Sequence, residues 1–343
     1  VTIGVLDIDM NMAAADGVVL NGYTGTFTVS GTTDILDPGQ LGIEITGNTG
    51  TATFTGVTTI DGASDISIYY HAAAAGTRDI NFGTVSVLNR GAEGLAMGAV
   101  TGGTVDVASL TIPNPSGAMT VTDAAIDVSS SSANVTFTTV DLDDATYGMF
   151  VSGHTTGLVS LNGGTINGTT MTGVEVRDST SVLVKNVTIT GTNSSDYGVV
   201  VQSSTGDTSA TVHNVLTSNT QFEGLYAPAF STNMVSMDLR ISNSSFTSTA
   251  FDGVYVRANN AMSSLCLNIS NPGSNNSGGG AGFDGYFLEQ AAGTFTLDGF
   301  LGDGTMTAQV NAHVTGANTG TAASSTATTF TASMPGTCVT PAP

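Results

Sequence analysis

The chain has 343 residues, of which 40% are hydrophobic, and a formal net charge of −21 from 27 Asp and Glu against 6 Lys and Arg. Such an acidic surface repels phosphate backbones, so the composition argues against nucleic acid as a partner. Apolar runs stay well short of the roughly 18 residues that a transmembrane helix needs, so no transmembrane segment is expected.

Residues 1–12 already alternate between apolar and polar side chains, which predicts a strand and not a signal peptide. Asp7, Asp9 and Asn11 have the spacing of an EF-hand start, but Met12 occupies the position of the required glycine. We therefore place these three side chains on the polar face of the strand. This strand would suit end-on pairing with another copy of the chain.

A short unit of one small residue followed by alternating apolar residues recurs about every 25 residues. The copies begin at Gly17, Gly42, Asp65, Gly94, Gly148, Gly173, Gly198, Gly224, Gly253 and Gly285. A fixed period of this length is typical of a solenoid, and the alternation indicates strands. The prediction is an all-β fold: a right-handed parallel β-helix of about 11 coils over residues 1–300, with a cap in residues 301–343.

The coil that begins at Gly173 illustrates the pattern. Val174 and Val176 are expected to point inward, while Glu175 and Arg177 point outward. The glycine is expected at a corner that requires a positive φ. Three asparagines at similar positions late in their coils predict a buried asparagine ladder: Asn186, Asn214 and Asn243.

The densest acidic cluster, Asp141, Asp143 and Asp144, is a weak candidate for a Ca²⁺ site. A solvated acidic turn is the favoured explanation of this cluster. The two Asp and Glu groups of a glycosidase must lie about 5–10 Å apart, and the sequence offers no motif for such a pair. The four histidines share no motif, and basic residues are scarce. We therefore expect a non-enzymatic protein without a bound cofactor, although β-helices also host polysaccharide lyases and hydrolases.

The residue two positions after each repeat glycine is expected to point outward, and in the second half of the chain these residues are mostly apolar or aromatic. They are Phe150, Glu175, Val200, Tyr226, Tyr255 and Phe287. An exposed apolar stripe usually marks an interface. Three explanations stay open: cover by the chain's own tail or a long turn, contact with another copy or surface, and sugar stacking assisted by Arg177, Arg257 and Glu289.

The end of the chain departs from the repeat. Residues 272–280 form a long insertion of turn residues, and Thr305–Gly316 has the pattern of a short helix. A strand-like piece follows near 328–332. Cys266 and Cys338 lack the spacing of a zinc site, so we predict a disulfide that ties the tail to a late coil. Such a bridge implies an oxidising compartment.

Residues 266–338 contain, in order, Cys266-Leu-Asn-Ile, Gly285-Tyr-Phe-Leu, Gly293-Thr-Phe-Thr and Gly336-Thr-Cys338. This order resembles the C-terminal end module of bacterial β-strand-repeat surface proteins of the adhesin and passenger type. The resemblance implies a secreted or cell-surface protein and identifies no ligand. The leading functional hypothesis is a structural filament subunit or adhesin rod, and the alternative is a polysaccharide-binding or polysaccharide-degrading β-helix protein.

Several Asn-x-Ser/Thr sequences are candidate glycosylation sites in an extracellular protein. They begin at Asn134, Asn167, Asn186, Asn193, Asn243, Asn268 and Asn275.

Overall fold

The structure, a computed structural model, describes residues 1–11, 14–47, 49–71, 78–113, 124–191, 196–230, 234–270, 283–317, 323–325 and 329–343. The predicted insertion at 272–280, Met12 and Thr328 lie outside these residues. The chain divides into two compact units, Val1–Thr169 and Thr170–Pro343.

The first unit consists of short parallel strands. They are β1 (Thr2–Ile3), β2 (Leu6–Asp9), β3 (Val18–Asn21), β4 (Thr26–Val29), β5 (Thr33–Leu36), β6 (Ile43–Thr46), β7 (Thr51–Asp61), β8 (Ile68–His71), β9 (Asp79–Leu88), β10 (Leu95–Gly98), β11 (Thr104–Ile112), β12 (Ala124–Ser129), β13 (Asn134–Asp143), β14 (Tyr147–Ser152), β15 (Val159–Leu161) and β16 (Gly164–Asn167). Strands β3, β6, β8, β10, β12 and β14 pair in this order and form a first wall. The second wall begins as two parallel ladders, β1–β4 and β2–β5, which both pair with the long strand β7. The long strands β9, β11 and β13 follow β7 in this order. Strand β13 then pairs with both β15 and β16, so the wall again consists of two ladders.

The second unit repeats this plan and adds a helix. Its elements are β17 (Thr172–Arg177), β18 (Val182–Lys185), β19 (Val187–Thr190), β20 (Tyr197–Gln202), β21 (Thr208–His213), β22 (Leu216–Ser218), β23 (Leu225–Ala229), β24 (Ser236–Ser242), β25 (Ser245–Phe246), β26 (Val254–Ala258), β27 (Ser264–Ser270), β28 (Tyr286–Gln290), β29 (Thr294–Leu297), α1 (Thr307–Ala317), β30 (Ala323–Ser325) and β31 (Thr331–Ala332). The first wall is the parallel ladder β17, β20, β23, β26, β28 and β30. The second wall contains β18, β21, β24, β27, β29 and β31, beside the shorter ladder β19, β22 and β25.

This arrangement confirms the prediction of an all-β parallel solenoid, with about ten turns against the eleven predicted. Successive coils pair in register, because the period of two places every second side chain inside. Val174 and Val176 are fully buried, as expected. In the first unit, the inward rings of Phe27, Phe54 and Phe82 form a column with centroids 5.7 and 4.9 Å apart. The right-handed sense of the coils stays a prediction.

The repeat glycines lie at or next to the start of first-wall strands, and the prediction that they need a positive φ is wrong. A Cβ on Gly42 would lie 2.5 Å from Ile60 Cγ2, and one on Gly173 would lie 2.5 Å from Ile189 Cγ2. Neither glycine has a positive φ. At these two positions the glycine is therefore required because an isoleucine of the second wall packs against its backbone.

The positive φ angles occur at other turns, including those at Asn186 (56°), Asn214 (51°) and Asn243 (49°). The predicted burial of these asparagines is wrong, because all three are exposed. A ladder contact does exist between the first two, where Asn214 Nδ2 donates to Asn186 Oδ1 at 2.7 Å. Asparagine tolerates the left-handed conformation, which explains its place at these turns.

The C-terminal segment contains the predicted helix, α1, with Val310 and Val314 buried. The ring of His313 lies 5.3 Å from that of Phe300. Beyond the helix, Phe330 packs on Phe295 with ring centroids 4.9 Å apart. The helix and the following residues thus bury apolar side chains against the last coils, as a cap does. The predicted boundary at residue 300 stays a prediction.

Candidate functional site

A five-residue motif occurs in three successive coils of the second unit. The copies are Phe222-Glu-Gly-Leu-Tyr226, Phe251-Asp-Gly-Val-Tyr255 and Phe283-Asp-Gly-Tyr-Phe287. The register of β23, β26 and β28 aligns these copies, since Tyr226 pairs with Tyr255 and Tyr255 with Phe287. The outward rings form one array, here called the aromatic face, made of Tyr197, Phe222, Tyr226, Phe251, Tyr255, Phe283 and Phe287.

Neighbouring rings of the aromatic face pack on one another. Their centroids are 4.8 Å apart for Tyr197 and Phe222, 5.4 Å for Tyr226 and Tyr255, and 5.1 Å for Tyr255 and Phe287. These separations are close to the spacing between adjacent strands, about 4.8 Å. They are too short for two neighbouring rings that both lie flat on the surface of the sheet. The rings therefore stand on edge and turn their edges toward the solvent.

The two arginines in the ladder of the aromatic face form ion pairs. Arg257 Nε lies 3.0 Å from Glu289 Oε2, and the hydroxyl of Tyr255 donates to the same carboxylate. Three coils before Arg257 in the same ladder, Arg177 pairs with Glu175. Each ion pair has no net charge, so it adds little to the acidity of this surface.

A column of carboxyl groups lies between the two columns of rings, at Glu223, Asp252 and Asp284. Burial, followed by the charge of Asp252, raises the pKa of Glu223 to about 7, although the backbone N–H of Glu223 lowers it. Burial also raises the pKa of Asp252, whose carboxylate accepts from the backbone N–H of Asp284 at 2.8 Å. The pKa of Tyr197 is raised to about 12 by burial and by the charges of Glu223 and Tyr226. Glu223 thus loses its negative charge as the pH falls through neutrality.

The aromatic columns end at a small open pocket. Asp252, Phe283, Asp284 and Phe287 line this pocket, whose volume is about 250 Å³. Phe287 pairs in register with Ser324, so its column has no aromatic residue in the next strand. Phe283 is 45% exposed. The pocket therefore combines two rings with two carboxyl groups.

The structure places most of the predicted stripe in one ladder of the second unit: Glu175, Val200, Tyr226, Tyr255 and Phe287 are in register. Glu175 and Val200 are only 5% and 6% exposed, whereas the three rings are half-buried. Phe150 belongs to β14 in the first unit, where it packs on Tyr147 at 5.3 Å.

The hydrogen bonds of the C-terminal tail show which wall Val339 and Pro341 lie on, and so test the explanation that the tail covers the predicted apolar stripe. Ser209 donates to the carbonyl of Val339 and Thr211 to that of Pro341, at 2.8 and 2.6 Å. Both donors belong to β21, so these tail residues lie on the second wall and not on the aromatic face.

Sequence analysis missed the column of Phe222, Phe251 and Phe283 and the carboxyl groups beside it. The signal was present in the threefold Phe–acid–Gly motif. The alternation assigns a direction only to the residues that follow each repeat glycine, and the Phe–acid pair precedes the glycine.

The predicted disulfide is present. Cys266 and Cys338 are bonded, with Cα atoms 5.4 Å apart. Thr337 N donates to Asp298 Oδ1 at 3.1 Å beside the bridge. The one group of three possible metal ligands among the described residues is Asp238 with these cysteines, whose sulfurs are held in the disulfide.

The acidic cluster of the first unit does not gather around a common point. Asp141 accepts from Thr165 Oγ1 at 2.6 Å, and Asp143 accepts from Asn167 Nδ2 at 3.0 Å. Asp144 has a positive φ of 48° at the turn that follows. These carboxylates link one coil to the next, which favours the explanation of an acidic turn over that of a Ca²⁺ site.

Most of the described candidate glycosylation residues have their side-chain amides in hydrogen bonds. Asn134 accepts from Leu158 N, Asn167 donates to Asp143, Asn186 accepts from Asn214, and Asn268 donates to Asp298. Asn243 is exposed. Asn193 and Asn275 lie outside the described residues.

No family model, curated protein or solved structure matches this chain. Among the described residues, the structure has no helix of the length and hydropathy needed to cross a membrane.

Proposed function

We propose that the protein is a structural β-solenoid of the extracellular space that associates with copies of itself through the aromatic face of the second unit. The observation that carries the proposal is the array of rings on a chain with a net charge of −21. Beside the rings lie the Arg257–Glu289 ion pair and Glu223, whose pKa is raised to about 7.

A second copy is the occupant that fits this chemistry best. Two chains with a charge of −21 each repel one another over most of their surfaces. A two-fold contact between identical aromatic faces reduces that repulsion, because it brings together rings and the neutral Arg257–Glu289 ion pair. Ring edges facing outward can interlock edge to face with rings of the other copy.

The extracellular location is supported by the disulfide between Cys266 and Cys338, since such bonds persist in oxidising compartments. A non-enzymatic role is part of the proposal. The column carboxylate of Asp252 holds the backbone of the next coil through Asp284 N, which explains the aspartate without catalysis.

The test is the mass of the purified protein by light scattering and its appearance in electron micrographs, at pH 6 and at pH 8. We expect larger assemblies at pH 6, because Glu223, with a pKa of about 7, is then mostly uncharged. Glu223→Gln should assemble at pH 8 as the native chain does at pH 6. Asp34→Asn, an exposed change in the first unit, is the matched control and should leave the pH dependence unchanged.

Phe283→Ser removes the most exposed ring and should weaken association about tenfold, or about 1.4 kcal/mol, with an unchanged circular dichroism spectrum. A monomer at both pH values, or assemblies that Phe283→Ser leaves intact, would overturn self-association through this face.

Polysaccharide binding is the second candidate, and the pocket at Phe283 and Phe287 favours it. The next strand supplies no ring to cover Phe287, and carboxyl groups that can bond sugar hydroxyls lie beside it. Calorimetric titration with neutral and acidic oligosaccharides tests this candidate. Binding that Phe283→Ser abolishes would support it, and heats equal to those of buffer dilution would contradict it.

A further inference from the structure

The six basic side chains of this acidic protein divide into three groups. Arg78 and Arg90 are buried in the first unit, at 1% exposure each. Arg177 and Arg257 form ion pairs on the first wall of the second unit. The two that are left, Lys185 and Arg240, lie on the second wall of the same unit, and Lys185 is the chain's single lysine.

Strand register brings Lys185 and Arg240 to one patch with His213 between them. Lys185 pairs with His213 across β18 and β21, and Arg240 pairs with Thr211, two residues from that histidine on the same strand. His213 Nδ1 lies 2.9 Å from Ser242 Oγ. Arg240 is flanked by the buried Leu239 and Ile241, so its side chain points outward. Three groups that can carry positive charge therefore converge on an outer surface.

The patch has no acidic partner among the described residues. None of their carboxylates lies within 4.0 Å of Lys185 or Arg240, and Arg240 Nε is buried without a hydrogen-bond acceptor. The nearby acids are engaged elsewhere: Asp238 accepts from Val339 N, and Asp298 accepts from Asn268 Nδ2 and Thr337 N.

We infer that Lys185, His213 and Arg240 form a binding site for a sulfate- or phosphate-type oxyanion, either free or carried as an ester on a sugar. Arginine presents a fork of donors that matches two oxygens of such a group, and lysine supplies a point charge. Ser242 Oγ and His213 Nδ1 are bonded to each other, so this pair supplies one further neutral donor, which is the Ser242 hydroxyl or the His213 Nε2–H according to the imidazole tautomer. A single oxyanion suits this site, because a long polyanion would be repelled by the rest of the chain.

The titration of His213 supports the grouping. Burial and the charges of Arg240 and Lys185 lower the pKa of His213. A bound anion opposes these two charges, so it should raise this pKa. The site lies on the second wall, so its test is independent of the aromatic face on the first.

The experiment follows the imidazole protons of His213 by NMR as sodium sulfate is added to the native protein, with sodium chloride of equal ionic strength as reference. His213→Gln assigns the signal. We expect a saturable shift and a raised His213 pKa with sulfate only. Lys185→Gln and Arg240→Gln should each weaken binding about tenfold. Asn21→Asp, which makes the same change in net charge at an exposed position of the first unit, should not.

A second arm compares a sulfated monosaccharide with its unsulfated parent. Tighter binding of the sulfated sugar than of sulfate assigns the anion to an ester, and equal affinity assigns it to the free ion. An identical response to chloride and sulfate, or sulfate binding that survives both Lys185→Gln and Arg240→Gln, would overturn the site.

Discussion

At the scale of single residues, the turn after β17 shows how coils are held together outside the strand ladders. Asp178, with a φ of 48°, accepts hydrogen bonds from the backbone N–H groups of Ser204, Thr205 and Gly206 at 2.6, 2.9 and 3.1 Å. Two hydroxyls, Ser204 Oγ and Thr205 Oγ1, donate to its other oxygen. Three successive N–H groups form a concave anion-binding nest, here filled by a carboxylate of the preceding coil.

We predict that Asp178→Ala lowers the free energy of unfolding by about 2–4 kcal/mol, because it leaves several donors without their charged acceptor. The measurement is urea unfolding followed by circular dichroism. Asp34→Ala, at an exposed strand position, serves as the control and should change stability by less than about 0.5 kcal/mol. Equal effects of the two substitutions would contradict the structural role of the nest.

The same residue gives a pH dependence with a definite sign. Burial raises the pKa of Asp178, but the donors outweigh it and lower the pKa from 3.8 to about 2. The folded state therefore favours the ionised form. The contribution of the Asp178 carboxylate to the free energy of unfolding is fully present above about pH 4 and is lost as the pH falls toward about 2. The native chain should lose more stability than Asp178→Asn across this interval.

At the scale of elements, the start of a first-wall strand such as β17 leaves no room for a side chain at the repeat glycine. A Cβ on Gly173 would lie 2.5 Å from Ile189 Cγ2 and 2.6 Å from the carbonyl oxygen of Gly198. The first contact is with the opposite wall and the second with the next coil. The glycine therefore sets both the distance between the walls and the distance between coils.

We predict that Gly173→Ala destabilises the second unit by about 1–3 kcal/mol, since overpacking at a backbone contact cannot be relieved by a side chain alone. Gly4→Ala is the matched control, because a Cβ there meets no atom within 4 Å. Thermal unfolding of both variants distinguishes packing from a general effect of removing a glycine. A melting temperature of Gly173→Ala equal to that of Gly4→Ala would disprove the packing account.

The strand pattern could be predicted because alternation and spacing are local properties of the sequence. Val174 and Val176 point inward, and Tyr226, Tyr255 and Phe287 share a ladder, as their positions after the repeat glycines indicate. The reason for glycines such as Gly42 and Gly173 could not be predicted, because the isoleucine that packs on each of them comes from the other wall. The grouping of Lys185, His213 and Arg240 could not be predicted either, because the register between their strands depends on the length of each coil.

At the scale of the whole molecule, two properties affect stability: a net charge of −21 and one disulfide near the end of the chain. Charge repulsion opposes compaction and is weakened by salt. The disulfide acts on the unfolded state, because it closes a loop with a sequence separation of 72.

We predict that replacing both cysteines by serine lowers the stability of the second unit by about 4 kcal/mol, the value expected for closure of a loop of this length. Reduction of the native chain should give the same loss. Near-ultraviolet circular dichroism of the tyrosines on the aromatic face reports on this unit. An unfolding midpoint that reduction does not change would show that hydrogen bonds such as that between Thr337 N and Asp298 suffice to hold the tail.

The in-register pairing of successive coils has a consequence for how genes for such a chain can change in length. A duplication or deletion that spans one whole coil, as from Gly198 to Glu223, leaves every inward side chain inward. An insertion of a single residue within a strand such as β20 turns all later side chains of that strand to the other face. Viable length variants should therefore differ by whole coils, and smaller insertions should be confined to turns.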